Sequence, residues 1–207
     1  GNSGTTMRLL CGLLSPMGLN LELDGDDSLR KRPMKRVSSP LQLMGANIKT
    51  SVPSLFTADG IAPVVILPST EWSFKEIKLS VPSAQVKSAC LLAGIQTNGV
   101  SVKGGKTSRD HSERMLKAMG AKIETFENGD VMVEPGPLCG MDITVPGDFS
   151  SAAFVIAAAL LIPGSDVHIQ GVNVNPTRTG FLDVLLSMGA KIEIEYLQSE
   201  VEPIANL

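Results

Sequence analysis

Aromatic residues, cysteine and histidine are all scarce in this sequence, and each scarcity excludes a class of protein. Aromatics make up 4% of the 207 residues, so the core has to consist mainly of Leu, Ile, Val, Ala and Met. Proteins that bind single-stranded nucleic acid usually offer several stacking rings, and this chain has few. The two histidines stand alone and the three cysteines form no CxxC pair, so we expect no metal site.

The cysteines are an odd, widely scattered set, at Cys11, Cys90 and Cys139. Two of them lie within apolar segments, which is typical of buried free thiols rather than of disulfides. This usage predicts a reducing compartment, and we expect the protein to be cytoplasmic.

Long apolar runs and an excess of positive charge are also missing. The longest apolar candidate, AAFVIAAALLIPG, is shorter than the roughly 18 residues that a membrane span needs. The net charge of −3 disfavours nucleic acid as a partner, because nucleic-acid-binding domains are usually basic. The chain starts without Met at GNSGTT and ends without a helix stop signal. We therefore expect a fragment, incomplete at both ends.

The tripeptide MGA marks an internal repeat, at residues 44–46, 119–121 and 188–190. Each copy follows an amphipathic segment, in RVSSPLQLMGA, RDHSERMLKAMGA and TRTGFLDVLLSMGA, and precedes a short alternating one, in NIKTS, KIETF and KIEIE. This pattern predicts a helix with one buried face, closed by a left-handed glycine and followed by a strand.

A second, more apolar helix is predicted upstream in each copy, at Thr5–Leu14, Ser83–Ala93 and Ser150–Leu161. A turn and a strand follow each of these helices, in LNLELDG, GVSVKGG and SDVHIQG. The repeating unit is thus helix–strand–helix–strand, which favours an α/β fold with helices packed on sheet. We expect the more apolar helix to lie inside and the amphipathic one outside.

The starts of the apolar helices also repeat, as GNSGTT, VPSAQ and GDFSS. Each places Ser, Thr or Asp at an N-cap position. A helix start carries unpaired N–H groups and partial positive charge, so converging starts can bind an anion. Plain capping explains any one start, but the repetition and the nearby arginines favour an anion site.

The chain contains, in this order, GNSGTTMRLL, GDDSLRKRPM, VPSAQVKSACLLAG, SRDHSERML, VPGDFSSAAF and NPTRTGFLDVL. In this combination they resemble 5-enolpyruvylshikimate-3-phosphate synthase of the bacterial type, over nearly the whole chain. The resemblance implies the enolpyruvyl transferase fold, an inside-out α/β barrel of repeated βαβαβ-type units with parallel inner helices. It places most of one substrate domain, with two units, in residues 1–145, and the first unit of the second domain in residues 146–207.

The same resemblance implies binding residues for two small-molecule substrates. The residues implied for phosphoenolpyruvate are Asn2, Gly4, Thr5, Arg32 and Gln85. Those implied for shikimate 3-phosphate are Ser83, Ala84, Gln85 and Arg109. Lys87 and Arg178 stay open between a place in the site and the surface.

The implied reaction transfers the enolpyruvyl group of phosphoenolpyruvate to the 5-hydroxyl of shikimate 3-phosphate and releases phosphate, on the route to aromatic amino acids. No metal or organic cofactor is implied, and the full-length protein is expected to be a monomer. The acid–base residues of the family lie in segments outside this chain, so we predict no catalytic residue within it and no turnover by it alone.

Two other interpretations stay open. One is the sister enolpyruvyl transferase that acts on UDP-N-acetylglucosamine, although the three cysteines lie in the wrong contexts for its loop cysteine. The other is a non-catalytic module that binds anions or RNA ends, which the basic run RKRPMKR favours and the net negative charge opposes.

Overall fold

The computed structural model of the protein describes residues 1–51 and 60–207. Its α-helices within these ranges are α1 (Gly4–Leu14), α2 (Asp27–Arg30), α3 (Lys35–Met44), α4 (Ala84–Gly94), α5 (His111–Ala118), α6 (Phe149–Leu161) and α7 (Gly180–Ser187). The strands are β1 (Leu21–Leu23), β2 (Asn47–Ser51), β3 (Ile61–Leu67), β4 (Lys75–Lys78), β5 (Val100–Lys103), β6 (Ile123–Thr125), β7 (Val131–Val133), β8 (Val172–Asn173), β9 (Glu195–Leu197) and β10 (Ile204–Asn206).

The internal repeat is confirmed at its helix ends. The glycine of each MGA tripeptide adopts the left-handed conformation, with φ of 112° at Gly45, 87° at Gly120 and 89° at Gly189. A side chain is disfavoured at such φ values, which explains why glycine closes all three helices. The three apolar helices α1, α4 and α6 also begin and end within one residue of the predicted bounds.

The described residues divide into two compact units: Gly1–Ser108 with Gly120–Leu138, and Arg109–Met119 with Cys139–Leu207. The domain boundary predicted near residue 145 concerns the whole protein and stays a prediction. No helix among the described residues has the length and apolar character needed to cross a membrane.

The first unit contains two sheets. One is antiparallel with strand order β1-β3-β2, and the inward side chains of β3 alternate with half-buried ones, as a strand with one buried face requires. The other has the order β4-β5-β7-β6, in which β4 and β5 are parallel and the other pairs antiparallel. Cross-strand valine pairs, Val100 with Val133 and Val102 with Val131, are buried in its core.

Helix α4 lies deepest in the first unit, with eight of its eleven residues buried. Helix α1 crosses it so closely that a Cβ atom added at Gly12 would stand 2.1 Å from the backbone oxygen of Ala89. The close crossing brings the starts of these two helices near each other.

The second unit contains one antiparallel sheet, of order β8-β10-β9. Its small core joins α6 and α7 to β8 through Phe149, Ala152, Ile156, Val172 and Leu182. Ile192 and Ile194, from the segment KIEIE, pack against this cluster.

Two predictions for the second unit are wrong in detail. The segment SDVHIQG forms no regular strand, because only Ile169 makes a reciprocal backbone pair, with Leu207. The strand expected in KIEIE begins only at Glu195, where pairing with β10 starts. Helix α6 packs on the core of its unit with one face, and Phe154 and Leu161 are 79% and 81% exposed. Its expected place inside the whole protein stays a prediction.

Candidate functional site

The starts of α1 and α4 meet in the first unit. Ser3 caps α1, since its Oγ accepts a hydrogen bond from the Thr6 backbone N–H at 3.2 Å. Gln85, in the first turn of α4, donates from Nε2 to Oγ1 of Thr5 at 2.7 Å. Two of the three repeated helix starts therefore converge, and their free N–H groups contribute partial positive charge. The third, at α6, belongs to the second unit.

Arg8 is a central residue of this site that the sequence did not predict. Its side chain is only 6% exposed. Nη1 donates to Oε1 of Gln85 at 2.6 Å, and Nη2 donates to the backbone oxygen of Pro33 at 2.9 Å. One guanidinium group thus joins α1, the loop before α3 and the start of α4. The available signal was an arginine in an apolar helix, four residues after Gly4 and hence on the same face.

Gly4 makes room for two guanidinium groups. A Cβ atom added at Gly4 would lie 3.0 Å from Nη1 of Arg32 and 3.1 Å from Nη1 of Arg8. The φ of Gly4 is not positive, so its backbone does not require glycine; only the space above it does. The predicted residues Gly4, Thr5, Arg32 and Gln85 are therefore neighbours around one helix start.

Two further arginines, Arg32 and Arg36, lie near enough to Arg8 for their charges to act on it. Burial lowers the pKa of Arg8 from its usual value, and the positive charges of Arg36 and Arg32 lower it further. Within residues 1–51 and 60–207, none of the three forms an ion pair with a carboxylate. A site of this kind attracts an anion, which would relieve the repulsion among the guanidinium groups.

The arginines of the basic run RKRPMKR thus lie in different environments. Arg30 forms an exposed ion pair with Asp24 at 2.5 Å. The hydrogen bond from Arg30 lowers the pKa of Asp24 to about 2. Arg32, two residues later, has no such partner among the described residues and lies beside Gly4.

Ser83 occupies the N-cap position of α4, but the prediction that it caps the helix is wrong. With φ of −143° and ψ of 109°, its side chain makes no capping hydrogen bond. Ser83 lines an open cleft of about 480 Å³, together with Lys35 and Arg36. Ala84 is the first residue of α4, and Asn2 is exposed just before the cap of α1.

Arg109 belongs to the second unit, immediately before Asp110 at the N-cap position of α5. Burial lowers its pKa, the charge of Arg178 lowers it further, and Asp148 opposes both. Arg178 is not a free surface charge: its Nη2 contacts Oδ1 of Asp148 at 2.6 Å. Asp148 also caps α6, which confirms the predicted capping role.

A polar network surrounds the start of α5. Nδ1 of His111 lies 2.7 Å from Oε1 of Glu202, whose other oxygen accepts a hydrogen bond from Asn173 at 3.0 Å. Nδ2 of Asn175 donates to Oδ1 of Asp110 at 2.6 Å. These contacts give His111 a structural role in holding the start of α5.

Two further residues of the first unit have buried side chains. Lys87, left open by the sequence, is 2% exposed and so is not a surface charge. The thiol of Cys11 lies on the buried face of α1. In the described part of the chain, no group of three His, Cys, Asp or Glu side chains is placed to hold a metal ion.

Fold and site together describe an α/β protein of repeated helix–strand units, with a cluster of arginines where two helix starts converge. The family model described as EPSP synthase (3-phosphoshikimate 1-carboxyvinyltransferase) matches residues 1–205. The chain therefore belongs to the EPSP synthase family.

Individual relatives agree with this assignment. The chain is 49% identical to a 3-phosphoshikimate 1-carboxyvinyltransferase of Geobacter sp. (strain M21) and 48% identical to one of Pelotomaculum thermopropionicum, in each case over 100% of this chain and 47% of the relative. The solved EPSP synthase from Acinetobacter baumannii is 42% identical, with a TM-score of 0.86 over 100% of this chain and 46% of that one. The predicted α/β fold of the enolpyruvyl transferases is thereby confirmed. The chain spans about half the length of the curated relatives it matches.

Proposed function

We propose that the protein containing this chain transfers the enolpyruvyl group of phosphoenolpyruvate to the 5-hydroxyl of shikimate 3-phosphate and releases phosphate. The observation that supports this most directly is the group of arginines at the start of α1, which have no carboxylate partner among the described residues, in a chain of the EPSP synthase family. Both substrates are multiply charged anions, and the pocket offers positive charge and hydrogen-bond donors.

Each predicted binding residue has a role in this proposal. Phosphoenolpyruvate is bound by Asn2, Gly4, Thr5, Arg32 and Gln85. Shikimate 3-phosphate is bound by Ser83, Ala84, Gln85 and Arg109. Arginine suits phosphate and carboxylate groups because its planar guanidinium donates two parallel hydrogen bonds.

The chemistry requires a proton to be added to the methylene carbon of phosphoenolpyruvate, which makes the adjacent carbon electrophilic. The 5-hydroxyl attacks that carbon and loses its proton. The tetrahedral intermediate then expels phosphate, and its new methyl group loses a proton, which restores the carbon–carbon double bond of the enolpyruvyl product. The residues of this chain bind and orient the two anions, which supplies the proximity and electrostatic parts of the rate acceleration. The groups that move protons are proposed to lie in the rest of the protein, so this chain alone should have no turnover.

The location and assembly of the protein are part of the same proposal. We propose a cytoplasmic monomer that acts on small molecules rather than on nucleic acid. The buried, free thiols of Cys11 and Cys90 support a reducing compartment.

The proposal is tested with the full-length protein in an assay of phosphate release. We expect release when phosphoenolpyruvate and shikimate 3-phosphate are both present, and none when UDP-N-acetylglucosamine replaces the latter. Release with the sugar nucleotide instead would assign the protein to the sister reaction. Near-normal release by residues 1–207 alone would contradict the proposed location of the acid–base groups.

Two arginines of one basic run give a matched pair of variants. Arg32 is exposed in the free protein. Arg32→Ala should lower kcat/KM for phosphoenolpyruvate roughly 100-fold, because removing one partner of a charge pair from which the bound ligand excludes water costs about 2–5 kcal/mol. Arg30→Ala should leave it nearly unchanged, since Arg30 is engaged by Asp24 at the surface. Equal effects of the two substitutions would remove Arg32 from the site.

A further inference from the structure

We propose that Arg8 is a positioning residue that fixes the direction of the Gln85 side-chain amide, so that Gln85 and Thr5 both present hydrogen-bond donors to the ligand. This inference rests on the proposed function and concerns how the same site selects a fully ionised anion.

The first step is the chemistry of the contact between Arg8 and Gln85. A guanidinium group has five N–H donors and no acceptor, whereas a glutamine amide has an oxygen at one end and a nitrogen at the other. The Gln85 atom that lies 2.6 Å from Nη1 of Arg8 must therefore be the oxygen. The amide cannot rotate by half a turn without placing two donors against each other.

The second step is the consequence for Thr5. With its oxygen held by Arg8, Gln85 directs Nε2 to Oγ1 of Thr5 at 2.7 Å. That hydroxyl oxygen accepts from Gln85, so the hydrogen of the hydroxyl points elsewhere and can be donated to a ligand. The remaining hydrogen of Nε2 is a further donor. Thr5 is exposed and Gln85 half-buried, so both can reach a bound molecule.

Keeping Arg8 buried at this position lowers the stability of the fold. Arg8 is buried, and its Nε has no hydrogen-bond partner among the residues the structure describes. A buried, incompletely bonded cation destabilises a fold, so a fold-only role would be served better by an apolar residue. A function in orienting its neighbours accounts for keeping it there. Its second contact, to the backbone oxygen of Pro33, also fixes the residue that follows Arg32.

Arg8 thus donates a hydrogen bond to Gln85, and Gln85 donates one to Thr5. These two hydrogen bonds, which run in the same direction, are called the relay below. The Thr5 hydroxyl, the free hydrogen of Gln85 Nε2 and the Arg32 guanidinium can all donate to the ligand, whereas the Gln85 oxygen is engaged by Arg8. Phosphate and carboxylate groups that are fully deprotonated accept such bonds, and protonated ones accept fewer. The relay therefore favours the most highly ionised form of the ligand.

A double-mutant cycle in the full-length protein tests the relay. Arg8→Lys keeps the positive charge but cannot hold both Gln85 and Pro33. We expect Arg8→Lys to raise KM for phosphoenolpyruvate about tenfold when Gln85 is present, and less than about twofold in a Gln85→Ala background, because its effect acts through that amide. The change should appear in KM more than in kcat. Equal fold-changes in the two backgrounds would overturn the proposal, since they would show that Arg8 acts by charge or stability alone.

A second cycle avoids the buried arginine, in case Arg8→Lys does not fold. Thr5→Val and Gln85→Ala should each raise KM, and their joint effect should be smaller than the product of the two, because both break the same relay. Independent, multiplying effects would contradict the relay. Wild-type phosphate release tests the function separately. If the wild type releases none, the same cycles measured on binding of inorganic phosphate by calorimetry still decide the role of Arg8.

Discussion

Two glycines of α1 give a prediction that separates ligand binding from folding. Gly4 and Gly12 lie on the same helix, and neither has a positive φ, so alanine fits the backbone at both positions. What differs is the neighbour that a new Cβ atom would meet. At Gly4 it would meet the ends of two flexible arginine side chains, and at Gly12 it would meet the backbone of Ala89.

For Gly4→Ala, the size of the effect follows from the distances. The new Cβ would lie 3.0 Å from Nη1 and 3.2 Å from Cδ of Arg32. Ordinary contact needs about 3.5 Å or more, so Arg32 has to move by roughly half an ångström. A displacement of about 1 Å at a substrate-binding group can cost about 100-fold in rate, so half of that predicts roughly a tenfold loss of kcat/KM for phosphoenolpyruvate. The free energy of unfolding should change by less than about 1 kcal/mol, because Arg32 is exposed and can move, and the end of the buried Arg8 side chain, 3.1 Å from the new Cβ, has to shift only slightly.

For Gly12→Ala, the same chemical change should act on folding instead. The new Cβ would lie 2.1 Å from the backbone oxygen and 2.5 Å from Cα of Ala89, and neither can rotate away. Overpacking of this kind costs about 1–3 kcal/mol or more, against a gain of about 0.5–1 kcal/mol from replacing glycine within a helix. We expect a net loss of stability and a separation of α1 from α4.

The assay is urea unfolding of both variants beside the phosphate-release kinetics of the full-length protein. Gly4→Ala should shift the kinetics and not the unfolding midpoint, and Gly12→Ala should lower the midpoint. If Gly4→Ala left kcat/KM for phosphoenolpyruvate unchanged, the placement of the ligand over Gly4 would be wrong. If Gly4→Ala destabilised the protein as much as Gly12→Ala, the reasoning from flexible and rigid neighbours would fail.

Two further predictions concern titratable groups. Burial raises the pKa of Cys11 and of Cys90 to about 12, whereas Cys139 is exposed. Iodoacetamide at neutral pH should therefore label Cys139 alone until the protein is unfolded, as measured by peptide mass spectrometry. Labelling of Cys11 in the folded protein would refute its burial. Burial tends to raise the pKa of Glu202, but hydrogen bonds from Asn173, His111 and Asn175 outweigh it and lower the pKa below its usual value. The ionised form of Glu202 therefore stabilises the fold above the usual value near 4.3, and this contribution is lost as pH falls through the lowered pKa. Urea unfolding between about pH 6 and about pH 3 should show a smaller loss of stability in Glu202→Gln than in the wild type, and an equal loss would contradict the network.

The repeated helices could be predicted from the sequence because their signals are local. A left-handed glycine closes α3 at Gly45, and apolar residues at helical spacing precede it, whatever the rest of the chain does. The side on which a helix is buried is not a local property. Helix α6 has a more apolar sequence than α4, yet α4 is the one that is almost wholly buried, because its surroundings in the first unit cover it on more sides.

Within the site, the residues near helix starts could be predicted and the residue that connects them could not. Gly4 and Gln85 lie in recognisable turns, but they are separated by most of the first unit along the chain. Arg8 contacts Gln85 only because α1 crosses α4 closely, at Gly12. A sequence contains no direct signal for such a crossing, so Arg8 could be identified only from the packing.

The role available to each arginine depends on whether a carboxylate lies close enough to form an ion pair with it. Arg30 has Asp24, and the pair satisfies both charges at the surface, where an ion pair adds little to stability. The positive charges of Arg36 and Arg32 act on the buried Arg8, and an incoming anion would relieve this repulsion. An acidic residue placed beside these side chains would compete with the proposed substrate for the same guanidinium groups. Within the described ranges none of the three forms an ion pair with a carboxylate, so on the proposed function their guanidinium groups are available to a doubly charged ligand.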